Sequence, residues 1–97
     1  MGQLAFLSDD KLFDGRCIRF TGFDGGEEVA CGVSIAALKA SDPRLQRHGL
    51  LPAEAFLESF DGLLVAIHDA ARRKYDRREF ESAGDVRILV HRHDLSP

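Results

Sequence analysis

The sequence predicts an α+β domain in which one short and one long helix pack on one face of a small antiparallel sheet of three to four strands. Residues 16–23 and 27–33 alternate between apolar and polar side chains around a glycine-rich turn, which predicts a β-hairpin. Residues 52–75 carry apolar side chains at helical spacing, and residues 85–91 alternate again as a last strand. Residues 4–7 are expected to add a short edge strand.

The alternation assigns the side chains of the strands to two faces. Ile18 and Phe20 point into the core, whereas Arg19 and Thr21 point to the opposite face with Arg87, so that face is expected to be solvated. The other inward side chains are expected to be Val29, Cys31, Val33, Val86, Ile88 and Val90.

Both helices have recognisable start signals. The hydroxyl of Ser34 is expected to cap a short helix over residues 35–40, and Asp42-Pro43 ends that helix because the residue before proline avoids the α region. Pro52 fits the first position of the long helix. The apolar stripe of the long helix consists of Phe56, Phe60, Leu63, Leu64, Ile67, Ala71 and Tyr75.

One glycine interrupts the long helix. A glycine in a helix interior costs roughly 1 kcal/mol relative to alanine, and Gly62 lies in the middle of the stripe. Because the stripe keeps its phase, we expect close packing on the sheet at Gly62 rather than a kink. Further along, Asp69 and Arg73 are expected to form an i,i+4 ion pair.

Length and charge limit the classes of protein. The 97 residues predict a single domain over residues 1–97. The net charge of −3 argues against a general nucleic-acid-binding protein, which is usually basic. The sequence has no long apolar run and no signal-peptide pattern at its start, so we expect a cytoplasmic protein without membrane contact, with Cys17 and Cys31 as thiols.

Several short strings together resemble a known family. They are Ile18-Arg19-Phe20, Asp24-Gly25, Val29-x-Cys31-x-Val33-Ser34, Ala37-Leu38, Phe56, Ile67, Ala70, Lys74-Tyr75, the strand 86–90 and Asp94-Leu95. In this order they are similar to the small bacterial proteins of domain-of-unknown-function family 1488. The resemblance implies a compact α+β fold with a small antiparallel sheet and two helices, and it implies no activity.

Histidines and cysteines are the first candidates for chemistry. His91 and His93 fall on one side of a strand, as paired metal ligands often do, but a solvated tail explains them better. Cys31 is in phase with the core, where a thiol is usually an unreactive small hydrophobe. Cys17 is out of phase with Ile18, so we expect it to be the more exposed thiol.

A histidine–aspartate pair and a basic cluster are the other candidates. His68 and Asp69 are adjacent on a helix and therefore point about 100° apart, which argues against an acid–base pair and places His68 at the edge of the stripe. The basic residues Arg72, Arg73, Lys74, Arg77 and Arg78 suit phosphate binding. They also suit the negative end of a helix dipole, which is the simpler interpretation.

These observations predict an uncharacterised, non-catalytic protein-interaction or regulatory accessory domain without a cofactor. We expect it to work through a protein partner or through self-association as a homodimer, with Leu89 and the solvated sheet face as contact surface. The alternative is a nucleic-acid-associated regulator that uses residues 72–78. An enzyme that depends on Cys31 or on a metal at His91 and His93 ranks third.

Overall fold

The computed structural model describes residues 4–7, 10–46, 51–81 and 84–95. One sheet contains the strands β1 (Lys11–Phe13), β2 (Cys17–Asp24), β3 (Glu27–Ser34) and β4 (Ile88–Val90), in that spatial order. The helices are α1 (Ile35–Ser41), α2 (Ala53–Gly62), α3 (Leu64–Asp76) and α4 (Arg92–Leu95), and a 3₁₀ turn spans Pro43–Leu45. The predicted α+β class with a sheet of three to four strands is confirmed.

The hairpin of β2 and β3 forms the centre of the sheet. The two strands pair antiparallel from Cys17 opposite Ser34 to Asp24 opposite Glu27. Gly25 in the two-residue turn has φ +63°, a conformation that glycine adopts without steric cost. The predicted turn and the alternation of the hairpin are therefore confirmed.

The last strand does not run in the expected direction. β4 pairs with β3 in parallel, with Gly32 opposite Leu89, so the sheet is mixed rather than fully antiparallel. Parallel neighbours need a long crossover connection. The chain provides one, because α1, α2 and α3 lie between β3 and β4.

The first edge of the sheet also differs from the expectation. Residues 4–7 make a single bridge, in which Ala5 and Phe23 exchange two backbone hydrogen bonds of 2.8 and 2.7 Å. The edge strand proper is β1, which pairs antiparallel with β2. Leu4 nevertheless is 1% exposed, so this segment is anchored in the core by its side chain.

The long helix is divided into α2 and α3 at Leu63, and the expected close packing at Gly62 is wrong. Leu63 has φ −108° and ψ 14°, and its N–H bonds to the carbonyl oxygens of Ser59 and Phe60. Gly62 is exposed, and a Cβ placed on it would meet a single neighbour, a guanidinium nitrogen of Arg44 at 3.9 Å. The break allows α2 to pack on β1 and β2 while α3 packs on β4.

The predicted cap of the short helix is confirmed. The Ser34 hydroxyl accepts a hydrogen bond of 3.0 Å from the N–H of Ala37, and α1 ends at Ser41 before Asp42-Pro43. Pro52 is the N-cap residue of α2 rather than its first helical residue, so the helix begins one residue later than expected. Side chains from the inner sheet face and all three longer helices form one core, which includes Ile18, Phe20, Val29, Cys31, Val33, Leu38, Phe56, Phe60, Ile67, Ala71, Tyr75, Ile88 and Val90.

Candidate functional site

A cleft lies beside the break between α2 and α3. It has a volume of about 410 Å³ and is lined by Phe6, Leu7, Asp10, Phe20, Phe60, Asp61, Leu64 and His68. The end of α2 supplies Phe60 and Asp61, and the start of α3 supplies Leu64 and His68. The break therefore places polar and aromatic side chains from two helices around one opening.

His68 forms one wall of the cleft. Its ring stacks on Phe6, with centroids 3.8 Å apart and planes 8° apart, and lies 5.7 Å from the ring of Phe20. Burial, helped by the nearby charge of Arg72, lowers the pKa of His68 below its ordinary value, which favours the neutral form of the ring. The neighbouring Asp69 pairs with Arg72 at 3.3 Å.

A lysine and a carboxylate meet at the mouth of the cleft. The ammonium of Lys11 bonds to the carboxylate of Asp61 and lies 6.0 Å from the centroid of the Phe60 ring. The side chains of Lys11 and Asp61 are 28% and 58% exposed, so solvent screens this pair. The mouth therefore already holds an ammonium between a carboxylate and an aromatic ring.

The first arginines of the predicted basic cluster hold other parts of the chain in place. Arg72 donates a hydrogen bond of 3.1 Å from Nε to the carbonyl oxygen of Leu4 and pairs with Asp69, so the expected pairing of Asp69 with Arg73 is wrong. Arg73 donates instead to the carbonyl oxygen of Asp94 at 3.1 Å. These contacts tie the segment 4–7 and α4 to α3.

The other three residues of the basic cluster, Lys74, Arg77 and Arg78, lie in different environments. Lys74 is 7% exposed, and its ammonium lies 2.9 Å from the carboxylate of Asp94. Arg78 lies over the ring of Tyr75 at 5.5 Å, whereas the side chain of Arg77 is 71% exposed. Phosphate binding by this helix end stays a prediction. Of these three cations, Arg77 and Arg78 are exposed, whereas Lys74 is buried.

Of the two C-terminal histidines, His91 directly precedes α4 and His93 lies within it, so a short helix replaces the expected solvated tail. Their rings stack with centroids 5.7 Å apart. Nε2 of His91 lies 3.5 Å from Glu81, and Nε2 of His93 lies 3.4 Å from Asp94. Among the described residues, no group of three or more His, Cys, Asp or Glu side chains is arranged to hold a metal ion.

Both cysteines are buried free thiols, which corrects the expected exposure of Cys17. Burial raises the pKa of Cys31 to about 12. Burial and the neighbouring carboxylate of Asp14 raise the pKa of Cys17. Since the thiolate is the nucleophile, neither side chain is activated for nucleophilic chemistry.

We therefore expect both thiols to resist modification in the folded protein. At pH 7.5, which is about one unit below an ordinary thiol pKa, a chromogenic disulfide reagent should label neither Cys17 nor Cys31 until urea unfolds the chain. The Cys17→Ser and Cys31→Ser variants assign any residual reaction to one position. Fast labelling of the native protein would contradict the burial of that thiol.

The face of the sheet opposite the helices is covered at one end and open at the other. Val86 was expected to point inward, but it lies with Leu89 over Gly32 on this outer face. A Cβ placed on Gly32 would be 3.3 Å from the Val86 side chain and 3.4 Å from the Leu89 side chain. Toward β1 the face is open, and a groove of about 390 Å³ runs there, with a lining that includes Leu12, Arg19, Thr21, Ala30, Asp85 and Val86. Leu12 is 61% exposed at the edge of this groove.

The comparison with known proteins identifies the family. The model of a family described as a protein of unknown function, DUF1488, matches residues 10–88. The chain belongs to the DUF1488 family. It is also similar to the crystal structure of a DUF1488 protein of unknown function from Shewanella loihica PV-4, with 20% sequence identity, a TM-score of 0.73 and 91% of each chain covered. No curated protein matches the chain.

The resemblance predicted from the sequence is thus confirmed, and the solved DUF1488 structure supports the fold alone. Within the described ranges, no helix of this DUF1488 chain is long and apolar enough to cross a membrane. Of the cleft residues, His68 stands out in the sequence as an ionisable group at the edge of an apolar stripe. The sequence pattern does not mark Phe6 or Asp10 as site residues. Asp61 is marked by its position next to Gly62, the glycine that interrupts the predicted helix.

Proposed function

We propose that this DUF1488 chain is a non-catalytic interaction domain whose contact surface is the open part of the outer sheet face, with a second copy of the chain as its partner. The observation that carries this proposal is Leu12, a large apolar side chain that is 61% exposed beside an unfilled groove on the same face. Exposed apolar surface rimmed by polar groups is typical of protein–protein contact sites.

The shape of this surface favours a two-fold symmetric contact. In such a contact the same patch of both subunits must be complementary to itself. Leu12 projects at one side of the groove, and Thr21 and Ala30 line the groove on the neighbouring strands. A two-fold rotation would let the Leu12 side chain of each copy enter the groove of the other.

The charges on this face are also suited to self-contact. Arg19, opposite Leu12 in the sheet, lies 3.0 Å from Asp14 and 3.2 Å from Asp85. Charges of both signs therefore alternate around the groove, and a second copy meets opposite charges as readily as like charges. The edge strand β1 adds backbone N–H and C=O groups to this surface, since no other strand in the described part of the chain pairs with its outer edge.

The test is the dependence of molecular mass on concentration, measured by light scattering after size exclusion and by native mass spectrometry. The wild type is expected to form dimers increasingly as its concentration rises toward about 200 µM, and Leu12→Glu should weaken dimerisation about tenfold or more by burying a charge in the contact. Val65→Glu is the matched control, because Val65 is 75% exposed on α3, on the helical side of the sheet.

Two results would reject the proposal. A wild-type protein that stays monomeric across this concentration range excludes self-association, and equal effects of the two substitutions exclude this face as the contact surface. Circular dichroism of both variants establishes that each retains the fold, since neither side chain is part of the core.

A further inference from the structure

The cleft beside the helix break combines an apolar interior with an acidic mouth. The rings of Phe6, Phe20 and Phe60 line it, and the carboxylates of Asp10 and Asp61 are also part of its lining. Its volume of about 410 Å³ falls within the range of small-ligand sites. Such a site favours a ligand with an apolar body and a positively charged end.

The chain itself indicates which charged group fits. The Lys11 ammonium bonds to Asp61 and lies within 6.0 Å of the Phe60 ring centroid, and a cation near an aromatic face is stabilised by the charge distribution of the ring. Lys11 belongs to β1 and is not part of the cleft lining, and its side chain is 28% exposed. A ligand ammonium at this position would compete with Lys11 for the same carboxylate.

Neighbouring side chains hold the aromatic wall of the cleft in place. Arg72 bonds to the carbonyl oxygen of Leu4 and lies 5.0 Å from the centroid of the Phe6 ring, while His68 stacks on Phe6 at 3.8 Å. Leu4 is buried at the base of the same segment. The segment that carries Phe6 is thus fixed by a buried side chain, a hydrogen bond and two contacts to the Phe6 ring, so the cleft wall is preformed.

We propose that this cleft binds a small organic cation, a primary ammonium on an aromatic or alkyl body, with the body against the rings of Phe6, Phe20 and Phe60 and the ammonium on Asp61. Anions are disfavoured by the two carboxylates of the lining. A neutral molecule of the same shape gains the apolar contacts without the ion pair. The linings of the cleft and of the outer groove share Asp10 and Phe20, but Asp61 lines the cleft and Leu12 lines the groove. Asp61→Asn and Leu12→Glu therefore test the two proposals separately.

The experiment is a titration with 2-phenylethylammonium, followed by NMR through the ring-current shifts of the phenylalanines and His68. The neutral 2-phenylethanol and the anionic 3-phenylpropanoate are the comparison probes. The ammonium should bind most tightly and the anion most weakly. Lys11→Met should tighten ammonium binding about threefold by removing the competing cation, and Asp61→Asn should weaken it about threefold or more.

Asp76→Asn is the matched control, because Asp76 is an exposed carboxylate at the end of α3 that does not line the cleft. It should leave the affinity unchanged. In the double variant Lys11→Met/Asp61→Asn, the preference for the ammonium over 2-phenylethanol should disappear while the fold is retained.

Three outcomes would overturn the proposal. They are the absence of saturable shifts in Lys11→Met at about 10 mM probe, equal or tighter binding of the neutral or anionic probe, and equal effects of Asp61→Asn and Asp76→Asn.

Discussion

Replacement of Asp94 with alanine is expected to lower the free energy of unfolding by about 3 kcal/mol, because it leaves a buried ammonium without its partner. Lys74 is 7% exposed, and its Nζ lies 2.9 Å from Asp94 Oδ2. The same oxygen accepts a hydrogen bond of 2.8 Å from the backbone N–H of His91. Urea unfolding monitored by circular dichroism measures the loss.

A double-mutant cycle separates the ion pair from the other contacts of Asp94. Lys74→Met removes the buried charge, so the double variant Lys74→Met/Asp94→Ala should be more stable than the sum of the two single losses predicts. Asp69→Ala is the control for an exposed pair, since the side chains of Arg72 and Asp69 are 39% and 53% exposed. Its effect should stay within about 1 kcal/mol. An effect of Asp94→Ala no larger than that of the control would refute the importance of the buried pair.

The same contact sets a pH dependence. Burial acts to raise the pKa of Asp94, but the His91 N–H and the Lys74 ammonium outweigh it, so the pKa lies below its ordinary value. A carboxyl group with a lowered folded-state pKa stabilises the protein fully above its unfolded pKa of about 4 and loses that contribution as the pH falls through the folded pKa. The stability difference between wild type and Asp94→Ala should therefore shrink on acidification below about pH 4.

The ion pair of Lys74 and Asp94 shows which part of a contact can be predicted from the sequence and which part cannot. Lys74 lies three residues after Ala71, a member of the predicted apolar stripe, so helical spacing already places it near the core side of the helix. Its charge suggested a solvated helix end instead. The partner Asp94 lies 20 residues further along, and no local pattern connects the two.

The same distinction between local and distant contacts explains the other successes and failures. The hairpin and the Ser34 cap follow from neighbouring residues, and both were predictable. The parallel pairing of β4 depends on how three helices return the chain to β3, and the cleft depends on a contact between Phe6 and His68. The break at Leu63 had a local signal in Gly62, but the apolar stripe continues in phase across it and concealed it.

Substitution of Gly22 by alanine is expected to destabilise the fold by about 2 kcal/mol through a clash with the N-terminal segment. A Cβ placed on Gly22 would lie 2.6 Å from Cδ1 and 2.9 Å from Cγ of Leu4. Leu4 is 1% exposed, so its displaced side chain has to push against buried neighbours or give up part of its burial. Chemical denaturation measures the loss in stability.

Two comparisons make this expectation specific to the contact. Gly26→Ala should change stability by about 0.5 kcal/mol or less, because a Cβ there meets nothing within 4 Å. In Leu4→Ala, the added Gly22→Ala should cost little, since the clashing atoms are gone. Additive losses in the double variant would disprove the clash.

The displacement of Leu4 also reaches the cleft, because Leu4 and the hydrogen bond from Arg72 to its carbonyl oxygen position Phe6 two residues further on. In Gly22→Ala the stacking of Phe6 on His68 should loosen, which NMR detects as a loss of the ring-current shift on the His68 ring protons. Asp94→Ala, by contrast, loosens α4 from α3 and should leave that shift unchanged. If both variants altered the His68 shift equally, the cleft would report on global stability rather than on the packing of Leu4 against Gly22.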